Sequence, residues 1–440
     1  MTSKNRRRWW GLEFEQDEEV KPKSKPKPNC PREWVHGLLA GGERNAVSAS
    51  NQQAKTHTHT HTPETPQAQM EQQQQQFSID DNLLHLLLQS ASDFANYPGF
   101  LNDAAVKDFL DRFPLPLIFH ALQTKADVED GVESTLIGCL ERIFKSKYGA
   151  SLIPTYMAFV QFGLQSGSQA VRCLACKAVA SLLDNVDGHP DSLAQLVIDH
   201  RIYPLLLDCV CTGNEEVATS SIYAIKKLAG SPKGMEIIFP ANYNEATHLS
   251  NLAAHSSSLG RVRVLSLIVN LFSVSPNVAS AVYSSNLLTL LEAEVSSTND
   301  TLVTLSVLEL LYELAEVQHS AEFLSRTTLL QLLSAIISNP SMDAILRSRA
   351  MMISGRLLGK ENIYMFIDES SVKGIISAID GRLELGIEDL NECEAAIEAL
   401  GQIGLCKYFS NQSGPMTLAT IFLLYYLAVI KHFATWVIIL

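Results

Sequence analysis

The sequence predicts an all-α solenoid of stacked helical repeats, preceded by a disordered N-terminal extension. Three observations lead there. Apolar residues recur three and four positions apart from Phe77 to Gly404, the spacing that places them on one face of a helix. Short clusters of Ser, Asn, Gly, Asp and Pro interrupt this pattern, and no long stretch alternates apolar with polar as a half-buried strand does. A pair of aliphatics three apart returns near the end of an apolar helix at Leu140/Ile143, Val179/Leu182, Ile225/Leu228, Ile268/Leu271, Leu311/Leu314 and Leu400/Ile403. Its first members stand 39, 46, 43, 43 and 89 residues apart, and the last gap divides at Ser354/Leu357, where only the second position stays aliphatic. A period of about 40–47 residues built from two or three helices is the signature of armadillo and HEAT arrays. One helical hairpin cannot cover its own apolar face, so repeats stack to bury a continuous core, and a right-handed superhelix is expected.

Composition agrees and excludes alternatives. With 46% hydrophobic and 18% charged residues among 440, a sizeable core can form, and collagen or wholesale disorder is ruled out. The balance of 34 basic against 47 acidic residues, net −13, argues against a chain whose main work is gripping nucleic acid. Residues 1–76 hold 11 basic and 9 acidic residues, leaving 23 against 38 beyond them, so the acid surplus belongs to the part predicted to fold. Eight cysteines are too few for a disulfide scaffold, and no secretory leader pattern opens the chain, so reduced thiols and a cytoplasmic location, with the nucleus open, are expected.

In chain order, residues 1–76 are polar, with Arg6-Arg7-Arg8, a Lys-Pro alternation from Lys21 to Pro28, a Thr-His run from Thr56 to Thr62 and Gln72 to Gln76. Such a segment buries too little apolar surface to offset ordering entropy and is expected to be disordered. The strict Thr-His alternation matches one reading frame of a dinucleotide repeat, and Met70 is an expected alternative initiation site. His57, His59 and His61 share one side of an extended chain, but no further ligands cluster nearby, so solvated low complexity is the favoured reading.

Residues 77–404 are the repeat array. Each copy reads as an apolar helix (Ile202 to Cys211, Leu287 to Val295, Leu329 to Ile337), a polar turn, then a longer helix (Val217 to Ala229, Leu302 to Ala315, Ile345 to Leu358). Asn214 and Asp300 are placed as N-caps, whose side-chain oxygens accept first-turn amide protons. Ala175, Ser221 and Ser306 lie about one turn before an aliphatic pair and are expected to let helices approach closely. Residues 405–440 leave the repeat pattern: 416–440 hold 20 apolar residues, interrupted by Lys431 and His432. The uncharged run 416–430 is shorter than the roughly 18–20 residues a membrane span needs. An aberrant or truncated terminus is therefore the expectation favoured over a tail anchor, and membrane association is expected only if that tail is genuine.

Chemical motifs are few. Gly355 to Glu361 resembles a phosphate loop but is one residue short between its glycines, lacks the magnesium-binding Ser or Thr, and follows a helix. Cys173 and Cys176, with Cys209 and Cys211, fall inside helices at spacing unlike a zinc finger, so small core residues are expected and no metal or cofactor. His85, His120, His200 and His319 have no ligand partners at coordinating spacing. No hydrolase elbow or zincin helix appears, and a non-enzyme is expected. What the array offers is a surface. Two residues after the first aliphatic of each pair the side chain points away from the packed seam. That position holds Arg142, Ser181, Lys227, Asn270, Glu313, Arg356 and Gln402, a mixed polar ladder suited to an extended peptide or a partner's helix.

The stretch Arg261 to Pro276 (RVRVLSLIVNLFSVSP), its continuation through Leu287 to Leu291 and Leu305 to His319, and Ala395 to Gly404 together resemble the 26S proteasome non-ATPase regulatory subunit 5 family. The likeness is distributed over most of 77–404. It implies a non-enzymatic armadillo/HEAT assembly chaperone that binds an ATPase subunit of the proteasome base and leaves the finished particle. No catalytic or binding residue carries over from it. The family continues with further repeats where this chain changes character at Gly404. An armadillo adaptor for another protein cargo and a tail-anchored armadillo protein are the competing expectations; only Asn270 fits the inner asparagine row of import adaptors, which disfavours nuclear import.

Overall fold

A computed structural model describes residues 80–125, 131–184, 189–240, 248–297, 300–360, 363–385 and 389–404. The low-complexity extension, its histidines and the hydrophobic tail all lie outside these residues. The chain divides after Thr60, and every described residue belongs to the second unit. Among the described residues all regular structure is helical.

The repeat contains three helices rather than two. The third helices, the longest of each repeat except the last, are α1 (Asp81–Asn96), α4 (Val132–Lys145), α7 (Gln169–Leu183), α10 (Glu215–Leu228), α13 (Ser258–Phe272), α16 (Thr301–Glu316), α19 (Ala344–Leu358) and α21 (Leu390–Gly404). The first helices are short: α2 (Asp103–Arg112), α5 (Lys147–Leu152), α8 (Pro190–Asp199), α11 (Pro232–Ile238), α14 (Pro276–Ser284) and α17 (Ser320–Leu324). The second are α3 (Leu115–Lys125), α6 (Met157–Leu164), α9 (Ile202–Thr212), α12 (His248–His255), α15 (Leu288–Ser297), α18 (Leu329–Ser338) and α20 (Glu369–Leu385).

Local chemistry sets these boundaries. Asp80, Asn102, Ser168, Asn214, Ser257, Asp300 and Asp343 each accept an amide proton of the following first turn, which satisfies donors that have no intrahelical partner. The expected caps are both present: Asn214 Oδ1 lies 2.9 Å from the Val217 amide and Asp300 Oδ1 2.9 Å from that of Leu302. Pro190, Pro232 and Pro276 open first helices, where the missing N–H costs no hydrogen bond. The sharp reversal into two second helices is made by Arg201 (φ 51°) and Asn286 (φ 56°) in the left-handed region.

Packing follows the predicted register. Each third helix contacts the next, from α1 against α4 through to α19 against α21. Every aliphatic of the repeated pairs is buried, from Leu140 and Ile143 to Leu400 and Ile403, and Ser354 occupies its slot fully enclosed with Leu357. A single hydrophobic core runs unbroken from Leu84 to Ile403. Three helices per repeat, stacked like on like around one core, make this an armadillo-type solenoid. Of the small residues expected in the seams, Ala175 and Ser221 are buried, with Ser221 Oγ donating to the Leu206 carbonyl at 2.7 Å. Ser306 is not in the seam and bonds back to Leu302 of its own helix. It precedes its aliphatic pair by five residues rather than four, a turn of about 100° that moves it onto the open face and gives the seam to Val307.

Candidate functional site

The third helices stack side by side, so residues at equivalent positions form rows across the repeats. The predicted ladder is such a row, and its members are exposed or half-buried. Three of its cations reach back to the preceding repeat. Arg142 donates from Nη2 to the Gly99 carbonyl at 2.8 Å and from Nη1 to that of Ala95 at 3.3 Å, with its guanidinium 5.8 Å from the Phe94 ring centroid. Lys227 Nζ lies 2.6 Å from Asp184 Oδ1, at the end of α7, and 5.1 Å from the Tyr223 ring centroid; the hydrogen bond it donates to Asp184 raises its pKa. Arg356 donates to the Tyr312 hydroxyl at 3.0 Å and to Glu316 at 2.7 Å, and the hydrogen bond to Tyr312 heads the causes that raise its pKa. Cations near a helix C-terminus meet orphan carbonyls and the negative end of the dipole, which favours these placements.

The remaining members differ. Asn270 Nδ2 folds back onto the Ser266 carbonyl at 3.0 Å within α13. Gln402 Nε2 donates to Glu398 at 2.8 Å, while its Oε1 is buried and accepts no hydrogen bond. Glu313 is exposed and acts electrostatically on Lys226. Ser181 is half-buried. The ladder is thus partly an open surface and partly a set of staples between repeats.

Neighbouring rows carry further ion pairs. Lys177 on α7 bridges Glu141 on α4 (2.7 Å) and Glu216 on α10 (2.8 Å). Burial opposes its charge, yet the two carboxylates prevail and raise its pKa. Glu141, Cys173 and Glu216 bring three ligand-type atoms within 4.8 Å of one another, but the Lys177 ammonium group already bridges both carboxylates, and burial raises the Cys173 thiol pKa. A metal ion there would have to displace the lysine. Arg349 on α19 pairs with Glu309 on α16 and lies 5.1 Å from the Tyr312 ring centroid.

Residues that sequence singled out for chemistry serve packing. Gly355 lets α19 approach α21: a Cβ there would meet the Ala399 Cα at 2.7 Å. Lys360 Nζ donates to the Val317 carbonyl and to Ser320 Oγ, tying down the chain that leaves α16. Cys173, Cys176 and Cys209 are buried between helices, and Arg172 reaches Cys209 Sγ at 3.4 Å. Sequence reasoning missed the aliphatic side chains Leu259, Leu302 and Ile345, which stand exposed on this same helix face. Their signal was available as an aliphatic two residues after a capping Ser or Asp at intervals of 43. Among the described residues no helix is long and apolar enough to cross a membrane.

Fold and face together define an armadillo-type repeat protein with a polar, ion-paired row of third helices along one side. The chain belongs to the family described as proteasome non-ATPase 26S subunit, whose model matches residues 101–356. It is 23% identical over 209 residues to the 26S proteasome non-ATPase regulatory subunit 5 of Bos taurus, and 22% identical over 209 residues to that of Homo sapiens. Each match covers 47% of this chain and 40% of the relative, so the chain spans well under half the length of these curated relatives. Among solved structures it is similar to a computationally designed armadillo repeat protein for modular peptide recognition (17% identity, TM-score 0.35, 57% of this chain and 99% of that one). A designed armadillo repeat protein in complex with the peptide (KR)4 is similar at 18% identity and TM-score 0.36, covering 56% and 98%.

Proposed function

We propose that this protein is a non-enzymatic scaffold that holds an ATPase subunit of the proteasome base during assembly of the 26S regulatory particle, in the cytoplasm and with the nucleus open. The observation that carries the reading is the unbroken file of third helices from α1 to α21, seven of which, α4 onward, present one polar row, within a chain of the proteasome non-ATPase family. Such a face offers many weak, geometrically spaced contacts, which suits a large protein partner better than a small substrate. Several titratable groups on this face are tied up in mutual pairs, as in Glu141–Lys177–Glu216 beside the ladder, and turnover is not expected. The test is direct binding of the purified full chain to each recombinant base ATPase subunit by calorimetry. Saturable one-to-one binding to one subunit supports the reading; no binding to any of them overturns it.

A further inference from the structure

Three aliphatic side chains stand in solvent at one register. Leu259, Leu302 and Ile345 are 58%, 75% and 50% exposed, and each is the second residue of its helix after the N-caps Ser257, Asp300 and Asp343. In α21 that register holds Asn391, with Leu390, 48% exposed, one residue before it. A lone exposed leucine needs no explanation. Repetition at one register does, because helix geometry does not demand it: the same position holds Asn82 in α1, Glu133 in α4, Ala170 in α7 and Glu216 in α10.

The helices α13, α16, α19 and α21 pack in succession, so neighbouring members of the row are about 8–10 Å apart. Four and seven residues further along each helix come Arg263, Ser306 and Arg349, then Ser266, Glu309 and Met352, which places the apolar row on the face that also carries the ladder. Its surroundings are acidic. These four helices with their capping residues hold nine acidic and five basic residues. The basic ones on this face are already paired: Arg263 with Glu215, Arg349 with Glu309 and Arg356 with Glu316.

We propose that this row anchors one amphipathic helix of a partner protein, aliphatic at every seventh position and flanked by Lys or Arg. Seven residues of α-helix advance about 10.5 Å, close to the upper end of the step from one third helix to the next. Crossing α13, α16 and α19 takes two steps of seven, about 15 residues of partner helix. The flanking cations complement the acid surplus, so charge fixes the sign of the partner and the row fixes its spacing. The proposal rests on the reading of the third-helix face as the contact surface.

The probe is a labelled 20-residue helical peptide with leucines seven apart and lysines flanking them, titrated with the full chain by fluorescence anisotropy. Two controls replace the leucines by glutamine or the lysines by glutamate. The leucine–lysine peptide is expected to bind at least tenfold tighter than either control. The double variant Leu302→Gln/Ile345→Gln is expected to lose that preference with an unchanged thermal midpoint, since neither side chain is in the core. Equal binding of all three peptides, or an unaltered preference in the double variant, would overturn the proposal. Sedimentation showing self-association that the double variant abolishes would assign the row to a second copy and also overturn it. If the peptide result holds while no base ATPase subunit binds, the row stands and the assembly reading falls. If an ATPase subunit binds wild type and double variant alike, the assembly reading stands and this proposal falls.

Discussion

His248 sits with its ring nitrogen 2.6 Å from the Tyr203 hydroxyl, and burial holds its pKa down to about 4. In an unfolded chain the same group titrates near ~6.5. A histidine whose folded pKa lies below its unfolded one contributes fully above about 6.5 and loses that contribution as pH falls toward 4. The urea midpoint is therefore expected to drop between pH 7 and pH 5, and to drop less across that interval in His248→Phe. An equal slope in both proteins would exclude His248 as the source. Arg201 makes a second prediction at this scale. Its left-handed backbone disfavours a β-branched side chain, so Arg201→Val is expected to lose about 1–2 kcal/mol in denaturant unfolding while Arg201→Asn loses none.

At the scale of the helix, burial decides which substitutions matter. Leu311 is enclosed in α16, and Leu311→Asp is expected to destabilise by several kcal/mol, read from the thermal midpoint. Gly355→Ala sets two effects against each other. Alanine gains up to about 1 kcal/mol of helix propensity, but its Cβ would press on the Ala399 backbone at 2.7 Å, and overpacking costs about 1–3 kcal/mol. Overpacking against backbone wins, and a net loss is expected. Glu392 on α21 is enclosed between Arg347 of α19 (2.7 Å) and Arg382 of α20 (3.1 Å). Burial opposes its charge, yet the two guanidinium groups prevail and hold the carboxyl below its ordinary value. Its stabilising contribution is thus present above about pH 4.3 and lost as pH falls through its depressed pKa. Glu392→Ala leaves the buried Arg347 and half-buried Arg382 cations facing each other and is expected to cost about 3–5 kcal/mol.

The third helices were legible in the sequence because they are long enough to repeat an apolar face two or three times. The first helices α5 and α17, at 6 and 5 residues, were not, since a helix of less than two turns shows no period. The ladder was legible as a position but not as a set of bonds. What Arg142 or Arg356 touches depends on residues 43 or 44 positions earlier, brought near only by stacking.

For the whole molecule, a linear stack spreads stability through nearest-neighbour contacts. α16 touches α13 on one side and α19 on the other, so weakening it separates two blocks that otherwise unfold together. Leu311→Asp is accordingly expected to convert one calorimetric transition into two, and a single transition at lower temperature would show coupling that bypasses α16.

Five of the ties between repeats share a direction. Arg142 fastens onto the end of α1, Lys227 onto the end of α7, His319 onto the Phe272 carbonyl, Arg356 onto α16 and Lys360 onto Val317. In each case the later residue supplies the donor and the earlier segment the acceptor. A ribosome delivers the chain from its N-terminus, a few residues per second. Through these five ties an incoming repeat finds its docking carbonyls or carboxylates already in place, whereas Lys177 and Arg347 stay incompletely paired until Glu216 and Glu392 of the following repeat arrive.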